Sequence, residues 1–197
     1  MFFPLSMLNK IFKIAVKLSV IILIFFSFLT IRELLGYTAQ HSGVRVAEIN
    51  IQQLGKQYFQ LTLSPAELES KNFIVHGDMW QLDARIFVWS DFLVSLGIEP
   101  IYKFDRLSGR YQTIDDEKTK ERSVYSLSNA SNFMDLWSLM KRMPWFPGIK
   151  AHYGSGTFVP LVDGAQFSVY LRQDGLIAKP ENDPANNAIK NWINLFN

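Results

Sequence analysis

An unbroken apolar segment near the N-terminus constrains this chain more than any other feature. Residues 18–31 carry no charge, and extending the segment back to Ile14 gives 18 residues in which Lys17 is the only charged one. A membrane-spanning helix needs about 20 mostly apolar residues. Lys17 lies near one end, where its side chain can extend to the headgroups, and Tyr37 suits the opposite interface. The pattern therefore predicts a transmembrane signal-anchor helix over residues 14–37, with the lipid bilayer as its partner.

Two other interpretations of this segment stay open at this point. A cleaved signal peptide has a similar basic start and short apolar core, but small residues should follow at its cleavage site. Here Arg32 and Glu33 follow, and residues 37–39 form a poor site. A buried helix of a soluble domain normally has a polar face, whereas this segment is apolar on all faces. Both features favour an uncleaved anchor.

Basic residues are concentrated on one side of the apolar segment. Residues 1–37 contain four basic residues and one acidic residue, a net charge of +3, and three of the four precede the uncharged run. Basic flanks stay on the cytoplasmic side of a membrane. We therefore expect residues 1–13 to form a cytoplasmic N-terminus and residues 38–197 to lie on the other side.

The rest of the chain has the composition of one folded domain with balanced charge. Residues 38–197 contain 16 basic and 17 acidic residues, so the pI of 8.8 comes from the N-terminal segment and no nucleic-acid partner is expected. Hydrophobic residues make up 48% of the chain, which excludes disorder throughout. The absence of Cys excludes disulfides, thiolate metal ligands and Cys nucleophiles.

Alternating apolar and polar residues predict that the outer part is mostly antiparallel β-structure. Small, polar and β-branched residues over 38–55 indicate a stalk, and the first clear alternation begins at Phe59. Turn-forming pairs then separate the later strands. These pairs are Gly77-Asp78, Ser108-Gly109, Asp163-Gly164 and Asp174-Gly175.

Two helices accompany the predicted strands. Apolar residues at helical spacing predict a central helix over residues 132–143, ended by Pro144. Asp183-Pro184 begins a C-terminal amphipathic helix within residues 181–197, whose apolar stripe by default packs on the domain. The sequence thus predicts a mainly β (α+β) fold: the transmembrane helix, then one antiparallel β-rich domain over residues 56–180, sandwich or barrel-like, with these two helices.

Charged and aromatic residues of two central strands form a candidate binding surface. Asp83 and Arg85 lie two residues apart on the polar face of the strand that follows Gly77-Asp78. One hypothesis is a polar pocket with an aromatic wall that binds an anionic or polar ligand. The other is a set of cross-strand ion pairs of small benefit. The candidate ligand-binding or partner-binding residues are Trp80, Asp83, Arg85, Asp105, Arg106, Arg110 and Trp145, the last as part of a docking patch with Trp137.

Catalytic and metal chemistry have little support in the sequence. The three histidines, His41, His76 and His152, lack the spacing of a zinc site, and no phosphate-binding or dinucleotide motif is present. Residues 154–156, Gly-Ser-Gly, lie between strands, unlike a nucleophile elbow, which joins a strand to a helix. No catalytic residue, metal ligand or cofactor is assigned. A hydrolase site around His76, Asp78 or His152 is kept as a third hypothesis.

Several stretches resemble a known set of proteins. The stretches are GDMWQLDAR at 77–85, DRLSGRY at 105–111, and the residues at 154–160 and 163–164. Together they resemble small single-pass inner-membrane proteins of proteobacteria, over residues 56–178. Members of that set are often labelled cation/multidrug efflux pump or multidrug transporter. The resemblance implies a bacterial inner-membrane location with the domain in the periplasm, and it brings no catalytic residues.

A transporter activity conflicts with the single predicted helix. Alternating access needs a binding site between membrane-embedded repeats, which one helix cannot build. We therefore expect a non-catalytic interaction or accessory module that associates with a larger envelope or efflux assembly through a membrane or periplasmic protein. The alternative is a periplasmic domain that binds a lipid or envelope glycan through its polar sheet face.

Overall fold

The fold is seen in a computed structural model of the full chain. It describes residues 5–34, 37–39, 43–128, 136–143, 149–155, 158–172 and 175–194. An N-terminal apolar helix precedes two antiparallel sheets and several short helices. The predicted mainly β (α+β) fold with a leading apolar helix is confirmed.

The N-terminal helix, α1 (Leu5–Leu34), is exposed along its apolar length. Its segment Phe12–Arg32 is long and apolar enough to cross a membrane, and only 6% of an 18-residue window within it is buried. The hydroxyls of Ser19 and Thr30 donate to carbonyl oxygens one turn earlier, so these polar groups are satisfied within the helix. A core helix of a soluble domain would be mostly buried, and α1 is not.

The strands form two sheets in which every neighbouring pair is antiparallel. Sheet A contains β1 (Thr38–Ala39), β5 (Met79–Trp89), β6 (Ile101–Arg110), β7 (Val124–Ser126), β8 (Ile149–Ser155) and β9 (Val159–Pro160). Its order is β1-β6-β5-β8, with β7 on β6 and β9 on β5. Sheet B contains β2 (Arg45–Gly55), β3 (Tyr58–Pro65), β4 (Lys71–His76), β10 (Gln166–Arg172) and β11 (Gly175–Pro180). Its order is β11-β10-β2-β3-β4.

In the described residues, four short helices border the sheets. They are α2 (Asp91–Ser95), α3 (Ile114–Thr119), α4 (Leu136–Arg142) and α5 (Asp183–Asn194). The central helix predicted over 132–143 corresponds to α4, and residues 129–135 lie outside the described residues. Helix α5 buries Ala185 and Ala188 against the domain, and the Asn182 side chain caps it by accepting from the Ala185 N–H at 3.2 Å. The predicted C-terminal helix therefore packs on the domain through Ala185, Ala188 and Ile189, while Ile193 of its predicted apolar stripe is 52% exposed.

One apolar core joins the two sheets, as in a β-sandwich. Trp80 of sheet A meets Phe167 of sheet B edge to face, with ring centroids 5.7 Å apart. Leu61, Ile49 and Leu107 are fully buried around them. The core is thus built from alternate residues of both sheets, as the period-two patterns require.

The stalk predicted over residues 38–55 is wrong. Strand β1 lies at the edge of sheet A, and β2 is the central strand of sheet B. Ala47, Ile49 and Ile51 are buried there, while Glu48, Asn50 and Gln52 alternate with them on the other face. These polar residues give the segment a stalk-like composition although its inner face is apolar. The folded domain therefore begins well before residue 56.

Two of the predicted turns have other roles. Gly77-Asp78 does not close a hairpin, because β4 belongs to sheet B and β5 to sheet A. Ser108-Gly109 does not turn at all, because β6 runs without interruption to Arg110. Gly109 instead lets β6 approach the end of β4: a Cβ at this position would lie 2.1 Å from the carbonyl oxygen of His76. The glycine signal thus reflects close backbone contact rather than a turn.

Gly109→Ala is expected to destabilise the domain strongly. The added Cβ meets backbone that cannot turn aside, so we expect a loss of about 3 kcal/mol or more, the upper end for overpacking. Gly55→Ala is the matched control, because its Cβ would make ordinary contact with Tyr58 at 3.7 Å. The measurement is urea unfolding of the full chain in detergent micelles, monitored by tryptophan fluorescence. Equal stability of the two variants would contradict the proposed role of Gly109.

Candidate functional site

The candidate charges lie at an irregularity between β5 and β6. Asp83 pairs with Arg106 across the strands, but the next pair is Ala84 with Phe104. Asp105 is therefore an extra residue in β6, which is the geometry of a β-bulge. A bulge changes where side chains point, and here it brings the Asp105 carboxylate to the neighbouring Arg85. We call Asp83, Arg85, Asp105 and Arg106 the paired-charge cluster.

Asp83 is the buried member of the paired-charge cluster. Its side chain has no solvent exposure, and its Oδ2 accepts from Nε of Arg106 at 2.8 Å and from Nη2 at 2.7 Å. Its Oδ1 accepts from Nε2 of Gln81 at 2.9 Å. A buried carboxylate requires this kind of complete pairing. The Arg106 side chain is 44% exposed. One side of its guanidinium therefore contacts the buried carboxylate, and the other side faces solvent.

Arg85 is enclosed between an acid and an aromatic ring. Its Nε lies 2.8 Å from Oδ1 of Asp105, which also accepts from the Ser128 hydroxyl at 3.1 Å. Its guanidinium carbon lies 5.4 Å from the ring centroid of Trp137 in α4, a cation–π distance. Trp137 is itself buried, so it takes no part in an exposed docking patch.

The other candidate residues do not join the paired-charge cluster. Trp80 points into the core, so it is no wall of the polar face. Arg110 is exposed at the far end of β6, with its guanidinium carbon 4.5 Å from the ring centroid of Phe158. Trp145 lies outside the described residues. The four charges therefore form an internal network, which favours the ion-pairing interpretation over an open ligand pocket.

A second polar network, around Gln57, escaped the sequence analysis. Gln57 has a left-handed φ of 56°, which is uncommon for a residue other than glycine. Its Nε2 donates to Oδ1 of Asp78 at 2.9 Å and to Oδ2 of Asp116 at 3.2 Å, and its Oε1 accepts from Nζ of Lys120 at 2.6 Å. Oδ2 of Asp78 also accepts from the Gln112 N–H at 2.9 Å. The network joins the β2–β3 turn, the passage between the sheets and α3.

Two pKa values respond to this environment. The hydrogen bond from Lys120 lowers the pKa of Asp116, and the bond from Gln57 lowers it further. Burial raises the pKa of Tyr111, with Lys120 opposing that rise. The Tyr111 hydroxyl donates to the Glu121 carbonyl oxygen at 2.8 Å. These groups stabilise the end of the domain near α3.

The proposed hydrolase residues have separate partners. Nδ1 of His76 lies 3.0 Å from Oγ of Ser123, which also accepts from the backbone N–H of His76 at 2.9 Å. Ser123 is buried, so the pair ties β4 to the segment before β7. Asp78 bonds Gln57 instead of His76, and His152 lies in β8 opposite Ile86. Within the described ranges, no group of three His, Asp or Glu residues is placed to hold a metal ion.

Comparisons with family models, with curated proteins and with solved structures found no match for this chain. The features that bear on function are therefore the exposed helix, the domain that follows it and the networks just described.

Arg106→Gln is expected to destabilise the domain more than Asp83→Asn. Loss of the guanidinium leaves a buried carboxylate without its cation, which typically costs about 3–5 kcal/mol. Asp83→Asn leaves a half-exposed guanidinium that can turn to water, so we expect a loss of about 1–2 kcal/mol. The measurement is urea unfolding of the full chain in micelles.

A control for this comparison is Arg45→Gln, which breaks an exposed pair with Glu48. Its expected cost is below about 1 kcal/mol, as for surface ion pairs. Equal losses of unfolding free energy in Asp83→Asn and Arg106→Gln would contradict this expectation. They would show that the different burial of the two side chains does not determine the stability of the paired-charge cluster.

Asp116→Asn is expected to reduce stability at neutral pH and to have no effect in strong acid. The folded-state pKa of Asp116 lies below the unfolded value of about 3.9, so the ionised carboxylate stabilises the fold above that pH. This contribution is lost as the pH falls through the folded-state pKa. Unfolding free energies of both proteins across this range measure the effect, with Asp115→Asn as a control of equal charge change. If the difference in unfolding free energy between the original protein and Asp116→Asn stayed constant with pH, the expectation would be refuted.

Proposed function

We propose that this protein is a single-pass inner-membrane protein of bacteria whose periplasmic β-rich domain is a non-catalytic interaction or accessory module. The observation that carries the proposal is an exposed apolar helix of membrane-spanning length joined directly to a folded β-domain. The orientation follows from the basic N-terminal flank, which favours a cytoplasmic N-terminus. The proposed bacterial location is supported by the sequence resemblance of residues 56–178 described above.

The internal use of the polar residues supports a non-catalytic role. Asp83 and Arg85, which a ligand would have to contact, are already paired with Arg106 and Asp105. A lipid headgroup or glycan would have to displace a buried pair, so this alternative has less support. The hydrolase hypothesis has less support as well, because His76 and Asp78 contact different partners.

The single helix also shapes the proposed role. One span cannot hold a substrate between repeats, so any link with efflux requires association with a larger membrane assembly. We therefore propose that the domain contacts a membrane or periplasmic protein of such an assembly. This contact uses the surface of the domain rather than an enclosed pocket.

Photo-crosslinking in intact bacterial cells tests this proposal. A photoreactive residue replaces Leu68 or Ile114, whose side chains are similarly exposed, 70% and 72%, on separate parts of the domain. We expect a specific adduct of defined mass from one of the two positions, which is absent from the other position and from the same cells kept in the dark. No adduct above the dark control would overturn the interaction proposal.

Topology is measured in the same cells. The chain lacks Cys, so Leu68→Cys and Asn9→Cys each give a unique label site. A maleimide that crosses the outer membrane but not the inner membrane should label residue 68 in intact cells. It should label residue 9 only after lysis. The reverse pattern would refute the proposed orientation.

A further inference from the structure

The segment between β5 and β6 carries the densest group of exposed apolar side chains in the described part of the domain. Helix α2 and the residues that follow it present four of them within seven positions: Phe92, Val94, Leu96 and Ile98. We call residues 91–98 the α2 segment. Exposed apolar residues that occur singly need no explanation, but a contiguous group marks a contact surface.

The α2 segment lies next to the point where α1 ends. The backbone N–H of Tyr37 donates to the carbonyl oxygen of Leu34 at 2.9 Å, and Ala39 pairs with Ile101 at the start of β6. The path from Leu34 through Tyr37, Ala39 and Ile101 to Ile98 covers at most about 30 Å, because a chain advances at most about 3.6 Å per residue and paired strands lie about 5 Å apart. The Tyr37 ring also contacts Phe87 near the end of β5, with centroids 5.1 Å apart. This end of sheet A is therefore the end nearest to α1.

The opposite end of the sheet is farther from α1. Strand β6 has 10 residues, which span about 34 Å at the usual rise of a strand. Ile114 follows the far end of β6 and is 72% exposed, against 70% for Phe92 at the near end. The two side chains match in exposure and differ in distance from the helix that could cross a membrane.

Part of the backbone of the α2 segment is hydrogen-bonded within the segment itself. The backbone N–H groups of Val94, Leu96 and Ile98 donate to carbonyl oxygens within residues 90–93. The Trp89 indole N–H donates to the carbonyl oxygen of Glu99, which closes the base of the segment. Backbone that enters an apolar phase must be satisfied internally in this way.

The surroundings have the composition of a membrane interface. Nζ of Lys103 lies 5.7 Å from the ring centroid of Tyr37, and Arg32 is in the last turn of α1. Aromatic rings and basic side chains are enriched where a membrane protein meets the headgroups. The exposed apolar side chains of the α2 segment are thus accompanied by interfacial residue types.

We propose that the α2 segment inserts its apolar side chains into the lipid surface beside α1 and makes a second membrane contact. This inference depends on α1 spanning the membrane, as proposed above. The lipid surface is the occupant because α1 keeps it within reach of the segment at all times, which gives it a high effective concentration. Insertion to the depth of an interfacial helix, about 5–10 Å, fixes the domain's orientation on the membrane.

Environment-sensitive fluorescence on the full chain tests the second contact. Phe92→Cys and Ile114→Cys are each labelled with a nitrobenzoxadiazole probe, and the proteins are placed in vesicles of phosphatidylethanolamine and phosphatidylglycerol. We expect the probe at 92 to emit at shorter wavelength, to be quenched by a lipid nitroxide near the headgroups and to resist aqueous iodide. The probe at 114 should show the opposite pattern.

A third probe separates this inference from the proposed anchor. At Leu23→Cys in α1, quenching by a nitroxide deep in the acyl chains reports the span itself. If the probe at 23 is in lipid while that at 92 stays in water, the second contact is refuted and the anchor stands. If the probe at 23 is in water, both proposals fall.

A substitution that leaves α1 intact strengthens the test. Leu96→Ser should reduce lipid quenching of the probe at 92, because it removes apolar surface from the same segment. Val124→Ser, an exposed position in β7, is the control and should leave that quenching unchanged. Equal effects of the two substitutions would overturn the inference.

Discussion

The passage of the chain from sheet B to sheet A brings two backbones into direct contact, and the packing of the sandwich depends on it. β4 ends at His76 and β5 begins at Met79, so only two residues connect the sheets at this point. The carbonyl oxygen of His76 occupies the space where any side chain at Gly109 would lie. This contact fixes β4 against β6 and so sets how the inner faces of the sheets meet. Trp80, the second residue of β5, then extends into the core between them.

The paired-charge cluster follows from where β5 lies. This strand is central in sheet A, and Leu82, Asp83 and Ala84 are all buried, so it is covered on both faces. A charge on the covered outer face is tolerated only with a partner of opposite sign and with its hydrogen bonds satisfied. The bulge at Asp105 supplies the second pair by placing an extra residue in the partner strand. The polar residues within the stretches at 77–85 and 105–111 thus have a structural explanation that requires no ligand.

Local sequence patterns predict a helix or strand correctly where the residues of that element alone determine its structure. The hydropathy of α1, the alternation in β3, β5 and β10, and the stripe of α5 each predict the observed element. The failures concern contacts between distant elements. The sequence around Gly109 is the same whether this glycine forms a turn or allows another strand to approach closely. The polar residues of β2 hide its buried face, and Gln57 joins partners 21 and 59 residues away, which no local spacing reveals. In the site, spacing placed Asp83 and Arg85 on one face, but the bulge at Asp105 could not be anticipated.

Replacing the expected stalk with strands changes what the domain can contact. Thr38 in sheet A is four positions after Leu34 at the end of α1, a reach of about 14 Å at full extension. On the proposed topology the domain therefore stays at the membrane surface and cannot extend across the periplasm. If the domain binds a protein as proposed above, that protein presents a surface close to the same bilayer, which favours a membrane-embedded assembly over a distant envelope layer. A second lipid contact at the α2 segment would further restrict how the domain tilts on the membrane, because tilting it away from the bilayer would withdraw the apolar side chains from the lipid.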